Sequence, residues 1–227
     1  MLALAGSGEY LPAMEPVDRY LFSKLPGPPR VVCLPTAAGR EGETRIGYWA
    51  RLGVEHFTRL GAAVQSLPVV DRKSADNALH AGTIAAANFV YLSGGKPDYL
   101  YTTLQGSLVW EAILSVLARG GILAGCSAGA MVMGEKFYGF PGWKKGFNFL
   151  PGMTVIPHFG EIPVSIIKPL HLMTRNKLTM LGIEGNTALI KNEEQYEVAG
   201  SGCVHVWNRR GKTRCASGLL PDDALSG

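Results

Sequence analysis

The sequence predicts an α/β fold, a three-layer sandwich in which a mainly parallel sheet is flanked by helices. Three observations predict it. Short, continuously apolar runs recur at residues 31–35, 89–92 and 122–124, as expected of strands covered on both faces. Segments with helical spacing of apolar residues alternate with these runs. The joints between them are short and rich in Gly, Ser and Pro.

Each element follows in order. Leu2 to Ala5 reads as a first strand, ended by Gly6-Ser7-Gly8. Met14 to Lys24 reads as a helix, broken by the prolines between Pro26 and Pro29. Val31 to Pro35 is a buried strand, followed by the small loop Thr36 to Gly39. Thr44 to Leu60 carries Ile46, Trp49, Leu52, Val54, Phe57 and Leu60 at helical spacing. Val64 to Val70 is a third strand, and Ala75 to Ala87 a helix with Ser74 as N-cap. Phe89 to Leu92 is a strand that runs into Ser93-Gly94-Gly95, and helices follow at Tyr99 to Leu104 and Leu108 to Arg119. Ile122 to Ala124 is the next strand. Phe137 to Phe149 lacks periodicity and reads as a long loop or β-excursion over the sheet edge. Met153 to Ile156 is a strand, and Val164 to Leu181 a helix interrupted at Pro169. Thr187 to Ile190, Gln195 to Ala199 and Cys203 to Trp207 close the fold, in part antiparallel. Without repeats or low-complexity linkers, residues 1–227 read as a single domain.

Composition bounds the function. Hydrophobic residues at 47% and charged residues at 18% give a globular balance with a substantial core. A net charge of +4 without a concentrated basic stripe argues against a nucleic-acid partner. No apolar run is long enough for a membrane span, and the start lacks the basic lead of an export signal, so the expectation is a cytoplasmic protein. Cys33, Cys126, Cys203 and Cys215 show no paired metal spacing. Cys203 and Cys215 can face each other across a late hairpin, but nothing requires a disulfide.

Chemistry concentrates at Gly125-Cys126-Ser127-Ala128-Gly129, between an apolar strand and the small-residue helix start Ala130 to Met133. That is the layout of a nucleophile elbow. Glycines flank the apex, Ser127 projects its hydroxyl, and the Ala128 N–H at the helix start points to any oxyanion formed there. A serine needs a base. Of five histidines, His56 and His80 fall inside helices, His171 in the later helical region, and His205 on an alternating strand. His158 alone follows a strand directly, at the carboxyl end where open parallel sheets place their sites. Three carboxylates compete to orient its imidazole: Glu184 in a turn feeding a strand, Glu161 three residues after His158, and Glu135 just past the elbow helix. Gly94-Gly95, side-chain-free after a buried strand, offers a second oxyanion donor, with Gly95 favoured.

Gly94-Gly95 with Leu100, Gly125 to Ala130, Pro157-His158-Phe159 and Glu184-Gly185-Asn186 together resemble the serine peptidases that include peptidase E (aspartyl dipeptidase) and cyanophycinase. The resemblance runs from the first strand to about Ile190. It implies a flavodoxin-like fold related to class I glutamine amidotransferases, and hydrolysis of small peptides or isopeptides, aspartyl dipeptides among them, without metal or cofactor. It implies a homodimer. Its Ser-His-Glu triad falls on Ser127, His158 and, through Glu-Gly-Asn, Glu184; its oxyanion donors fall on Gly95 and Ala128. Cyanophycinase-like members carry Asp-Glu in the last turn, and on that pattern the glutamate position is Gly185. Where the family has a neutral polar residue after Gly-Gly, this chain has Lys96, which suits a substrate carboxylate beside Gly94 or is a solvated loop lysine. Arginines expected after the histidine are reduced to Arg175, with Lys168 and Lys177 nearby.

Other classes remain in view. An amidotransferase-type amidohydrolase needs cysteine at the apex, and Cys126 stands one position early. An α/β-hydrolase esterase places its acid before its histidine. A catalytically weak member serving as a binding module would be favoured by an acid missing at position 185.

Overall fold

A computed structural model describes residues 1–139, 141–174, 177–221, 224 and 225. Strands β1 (Leu2–Ala5), β2 (Arg30–Leu34), β3 (Ala63–Ser66), β4 (Phe89–Leu92) and β5 (Ile122–Cys126) come first. Helices α1 (Glu15–Ser23), α2 (Glu43–Arg59), α3 (Arg72–Ala75), α4 (Ala78–Ala86), α5 (Pro97–Leu104) and α6 (Leu108–Ala118) lie between them, and α7 (Ala128–Met131) follows β5. The rest of the chain gives β6 (Lys136–Gly139), β7 (Gly142–Lys145), β8 (Met153–Ile156), α8 (Val164–Met173), β9 (Thr179–Ile183), β10 (Thr187–Asn192), β11 (Gln195–Gly200), β12 (Val204–Asn208), β13 (Gly211–Cys215) and β14 (Gly218–Leu219).

The main sheet runs β14-β11-β10-β1-β5-β4-β2-β3. Its β1, β5, β4, β2 and β3 are mutually parallel, whereas β10, β11 and β14 add antiparallel on the β1 side. Alternation along the strands makes the three layers. Leu2, Leu4, Val32, Leu34, Val90, Leu92 and Leu123 face one core, completed by Ile84 of α4, Leu100 of α5 and Ile113 of α6. Ala3, Ala5, Val31, Cys33, Phe89, Tyr91, Ile122 and Ala124 face the other, covered by Met14, Val17 and Leu21 beside α1 and Phe57 of α2. Small residues on this face, Ala3 and Ala5 of β1 and Ala124 of β5, stand against Met14, Val17 and Leu21. Asp18 of α1 and His56 of α2 are buried there as a pair, 2.7 Å apart, which suits the rule that interior polar groups are partnered.

A second sheet, β13-β12-β9-β8, was not expected from the sequence. Its β9 takes over the last residues, Thr179 to Leu181, of the segment expected as a helix interrupted at Pro169, and runs on to Ile183. The helix instead ends at Met173, with the Thr174 hydroxyl donating to the His171 carbonyl. An apolar run of that length satisfies either period; pairing of β9 with β8 on one side and β12 on the other decides for strand. Arg175 lies outside the described residues. Two further expectations shift. Asp71 caps α3, with Ser74 closing a capping box at its third position, and Asn77 caps α4. Cys215 sits opposite Val204, not Cys203, and all four cysteines are free. The irregular segment after the elbow contains the hairpin β6–β7. Among the described residues no helix is long and apolar enough to cross a membrane.

Phe57 is fully buried, with ring centroids of Tyr10, Phe22, Phe89 and Tyr91 within 5.9 Å. Phe57→Ala is expected to lower unfolding free energy by about 3–5 kcal/mol. Urea denaturation checks it; a cost under about 1 kcal/mol would mean that α2 is not held by this aromatic cluster.

Candidate active site

The site forms where the carboxyl ends of β1, β4 and β5 meet the end of β8. Parallel register sets the first three level, with Ala5 opposite Cys126 and Leu92 opposite Gly125. Between β5 and α7 the chain turns on Ser127, whose φ of 51° and ψ of −110° lie outside the regions a non-glycine residue prefers. The surrounding structure forces that turn. A Cβ on Gly125 would come 2.5 Å from the Gly129 backbone, and one on Gly129 2.4 Å from the Leu92 carbonyl oxygen. Only bare backbone allows β4, β5 and α7 to close this tightly, and the closure leaves the serine at the apex.

His158 follows β8 with φ 53°. Its backbone N–H donates to the Gly6 carbonyl at 3.3 Å, docking the second sheet against the end of β1. Its Nε2 lies 3.2 Å from Ser127 Oγ, and its Nδ1 lies 3.0 Å from Glu161 Oε2. Glu161 reaches back because the chain turns at once: the Glu161 and Ile162 N–H groups both donate to the His158 carbonyl. The Ser7 hydroxyl donates to Glu161 Oε1 at 3.0 Å. His158 first, then Ser7, hold the Glu161 carboxyl below its ordinary 4.5. The pair is partly open to water, with 38% of the His158 side chain and 59% of the Glu161 side chain exposed, so water screens its charge.

Glu184, expected as the orienting acid, is turned elsewhere. Its Oε1 lies 2.6 Å from His205 Nε2, and its Oε2 accepts the Cys203 N–H at 3.0 Å. Strand geometry explains this. Gly182 and Glu184 are two residues apart and share a face, and His205 of β12 lies directly opposite Gly182. Phe159 stacks on the His205 ring at 4.6 Å and fills the space above Gly182. Gly185 holds a different place. A Cβ there would point at Ser7 Oγ, 2.8 Å away, and at Glu161 Oε1, 3.1 Å away. The Glu161 carboxylate therefore occupies the region that a side chain at position 185 would enter. Glu135 accepts the Gly152 N–H and is not in the cluster.

Beyond Ser127 lie the expected donors. Ala128 is the first residue of α7, where an N–H has no acceptor within its own helix. The Gly94 N–H donates to Glu9 and the Lys96 N–H to the Ala37 carbonyl. Gly95 between them has φ +142°, and a Cβ on it would strike the Ala37 backbone at 2.6 Å. A cavity of about 740 Å³ opens beside Gly95, lined by Arg40, Lys96, Asp98, Met131, Tyr138 and Lys144 among others. The Arg40 guanidinium lies over the Tyr99 ring, and Lys144 pairs with Asp98 at 2.5 Å. Lys96 is exposed at the head of α5.

Cys126 is buried and points back into the sheet, donating to Glu9 Oε2 at 3.0 Å. Burial, and then the Glu9 charge, push its thiol well above its ordinary 9.0. It is a poor nucleophile candidate, because the thiolate is the reactive form. Ser7 and Glu9 escaped the sequence reading. Their one signal is position, directly after the first strand, where a parallel sheet gathers its site residues.

The sequence model of peptidase family S51 matches residues 1–199. The chain belongs to that family. It is a serine peptidase, a hydrolase, and the three-layer α/β architecture fits. A crystal structure of a peptidase from an acI-B1 Actinobacterium is 35% identical, with a TM-score of 0.87 over 96% of this chain and 95% of that one. A putative peptidase E protein from Listeria monocytogenes EGD-e is 20% identical and shares the fold, with a TM-score of 0.66 over 88% of this chain and 97% of that one. No curated protein matches.

His205 first, aided by the Cys203 N–H, holds the Glu184 carboxyl below its ordinary 4.5. A depressed carboxyl contributes stability above its unfolded value and loses it as pH falls through its folded one. Glu184→Gln is therefore expected to be less stable than wild type near neutrality, with the gap closing as pH falls below 4.5. Urea midpoints from neutrality down to pH about 3 decide it; a gap independent of pH would show that the charge contributes nothing.

Proposed function

We propose that this S51 peptidase hydrolyses short peptides or isopeptides with a Ser127–His158–Glu161 triad, and that Gly95 and Ala128 supply the oxyanion donors. The observation that carries the reading is the continuous contact from Ser127 Oγ through both nitrogens of His158 to Glu161. Its geometry suits acyl transfer. Ser127 Oγ attacks the scissile carbonyl while His158 Nε2 accepts its proton. The imidazolium donates through Nδ1 to Glu161, whose carboxylate keeps the ring oriented and offsets its charge. Charge developing on the substrate oxygen meets the N–H groups at the head of α7 and at Gly95. His158 then returns its proton to the leaving amine. Water, deprotonated by the same imidazole, attacks the acyl-enzyme and releases the acid and free Ser127.

The cavity beside Gly95 is read as the substrate cleft. Arg40 and Lys96 bring two cations to it, while Lys144 and Asp98 are mutually paired. That balance favours a substrate with a carboxylate near the scissile bond, as in aspartyl dipeptides, held by charge-assisted hydrogen bonds.

A panel of Asp-X, β-aspartyl-X and neutral dipeptides, together with fluorophosphonate labelling of the serine, tests the triad. Ser127→Ala and His158→Ala are each expected to lower kcat by about a thousandfold or more. Glu161→Gln is expected to lower it by about 10- to 100-fold, less than for a buried acid because this carboxylate is hydrated. Glu184→Gln should cost less than Glu161→Gln. The reverse order would return the acid to Glu184, and cleavage that survives Ser127→Ala would end the proposal.

The cleft is tested separately. Lys96→Ala is expected to raise KM by about fivefold for dipeptides with a free carboxylate, leaving their amides unaffected. Equal effects on both would remove Lys96 from recognition.

A further inference from the structure

Glu9 is a buried carboxylate that the reaction as described does not use. The turn after β1 sends it inward, with Gly8 at φ 89° and Tyr10 at φ 64°. Its Oε1 accepts the Gly94 N–H at 3.0 Å and its Oε2 accepts the Cys126 thiol at 3.0 Å. Gly94 immediately precedes Gly95, and Cys126 immediately precedes the Ser127–Ala128 turn. One carboxylate thus joins the residue before Gly95 to the residue two before Ala128, the two proposed oxyanion donors. The joint is short: a Cβ on Gly94 would lie 2.6 Å from Glu9 Oε1 and 3.4 Å from Ser127 Cβ. The neighbouring Tyr10 hydroxyl reinforces it through a 2.8 Å bond to Ser93 Oγ. A buried carboxylate is costly to keep, and replacing it with an apolar side chain would leave the Gly94 N–H unpaired.

We infer that Glu9 is a positioning residue of the peptidase reaction, bracing Gly94 and Cys126 so that the Gly95 and Ala128 N–H groups converge on one oxygen. The inference rests on the oxyanion assignment proposed above. Glu9 touches no substrate. Its loss acts on the transition state, where the donors must meet a developing charge, and leaves ground-state binding alone.

The test compares wild type, Glu9→Ala, Glu9→Gln and Cys126→Ala in dipeptide hydrolysis. It adds affinity for a peptide boronic acid, which forms a tetrahedral adduct on the serine, and for the matching uncleaved peptide amide. Glu9→Ala is expected to lower kcat about 100-fold, the scale of one lost oxyanion donor, with KM held within about threefold. Boronate affinity should fall with kcat while amide affinity stays unchanged. Glu9→Gln still offers an oxygen to the Gly94 N–H and should recover about tenfold of the loss. Should Glu9→Ala not fold, Glu9→Gln and Cys126→Ala carry the test, since each disturbs only the link to position 126. Both should then lower kcat and boronate affinity in parallel, by about three- to tenfold. Reduced thermal stability with kcat and boronate affinity unmoved would overturn the inference, as would a rise in KM alone. Cleavage surviving Ser127→Ala would refute the underlying mechanism and the inference with it, whereas Ser127 dependence with unaffected Glu9 variants would refute this inference only.

Discussion

Everything at the site depends on how the chain leaves β1. The five residues Gly6 to Tyr10 are bonded to each segment that contributes to the cluster. The Gly6 carbonyl accepts the His158 N–H, and the Ser7 carbonyl accepts the Asn186 N–H. The Ser7 hydroxyl reaches Glu161, the Glu9 carboxylate reaches Gly94 and Cys126, and the Tyr10 hydroxyl meets Ser93. Gly6 itself passes so close to β9 that a Cβ would lie 2.2 Å from the Glu184 carbonyl oxygen. These contacts set the second sheet against the first. Together with the bond from the Glu135 N–H to the Met153 carbonyl of β8, they fix the imidazole relative to Ser127.

Strain collects in the same place. Ser127, His158 and Tyr10 all adopt positive φ without being glycine. Such conformations cost on the order of 1–3 kcal/mol each and persist only where packing over-determines them. Gly125 and Gly129 admit no Cβ, Tyr10 sits among Phe57, Tyr91 and Trp49, and the His158 loop is pinned by Phe159 against Gly182. The two buried face layers thus do more than stabilise the sheet. They hold the backbone in conformations that it would abandon if free, and those conformations aim the serine and the imidazole at each other.

The carboxylate proposed to orient the imidazole shows how one geometric need can be met from different points along a chain. Position 185 faces the pocket beside Ser7, yet carries no side chain. Glu161, brought round by the tight turn after His158, fills that space from the opposite side. Glu184, one residue before, is committed to His205 and to the backbone of Cys203, and so braces the second sheet. Placing the acid beside its own histidine shortens the link in sequence. It also leaves the carboxylate open to water, with less electrostatic leverage on the imidazolium than a buried group would have.

Local pattern was enough to read the parallel core. Buried strands at 31–35, 89–92 and 122–124, the helices between them, and the glycine-flanked serine turn are each dictated by short-range spacing and by residues too small or too constrained for anything else. The position of His158 after a strand was legible for the same reason. What the chain does between Val164 and Ile183 was not, because an apolar run fits helix and strand equally until a partner strand is known. The choice between Glu161 and Glu184 was open on sequence; in the structure Glu184, just past β9, is taken by His205 of β12 and the Cys203 N–H, while Glu161 meets His158. Glu9 was invisible for a related reason: a carboxylate after a glycine turn looks solvated until strands β4 and β5 close over it. Sequence by itself determined the strands and helices of the parallel core and its serine turn, because hydrophobic period and turn chemistry act over a few residues. Only the tertiary structure decided which carboxylate meets the imidazole, because that depends on contacts between residues far apart in the chain.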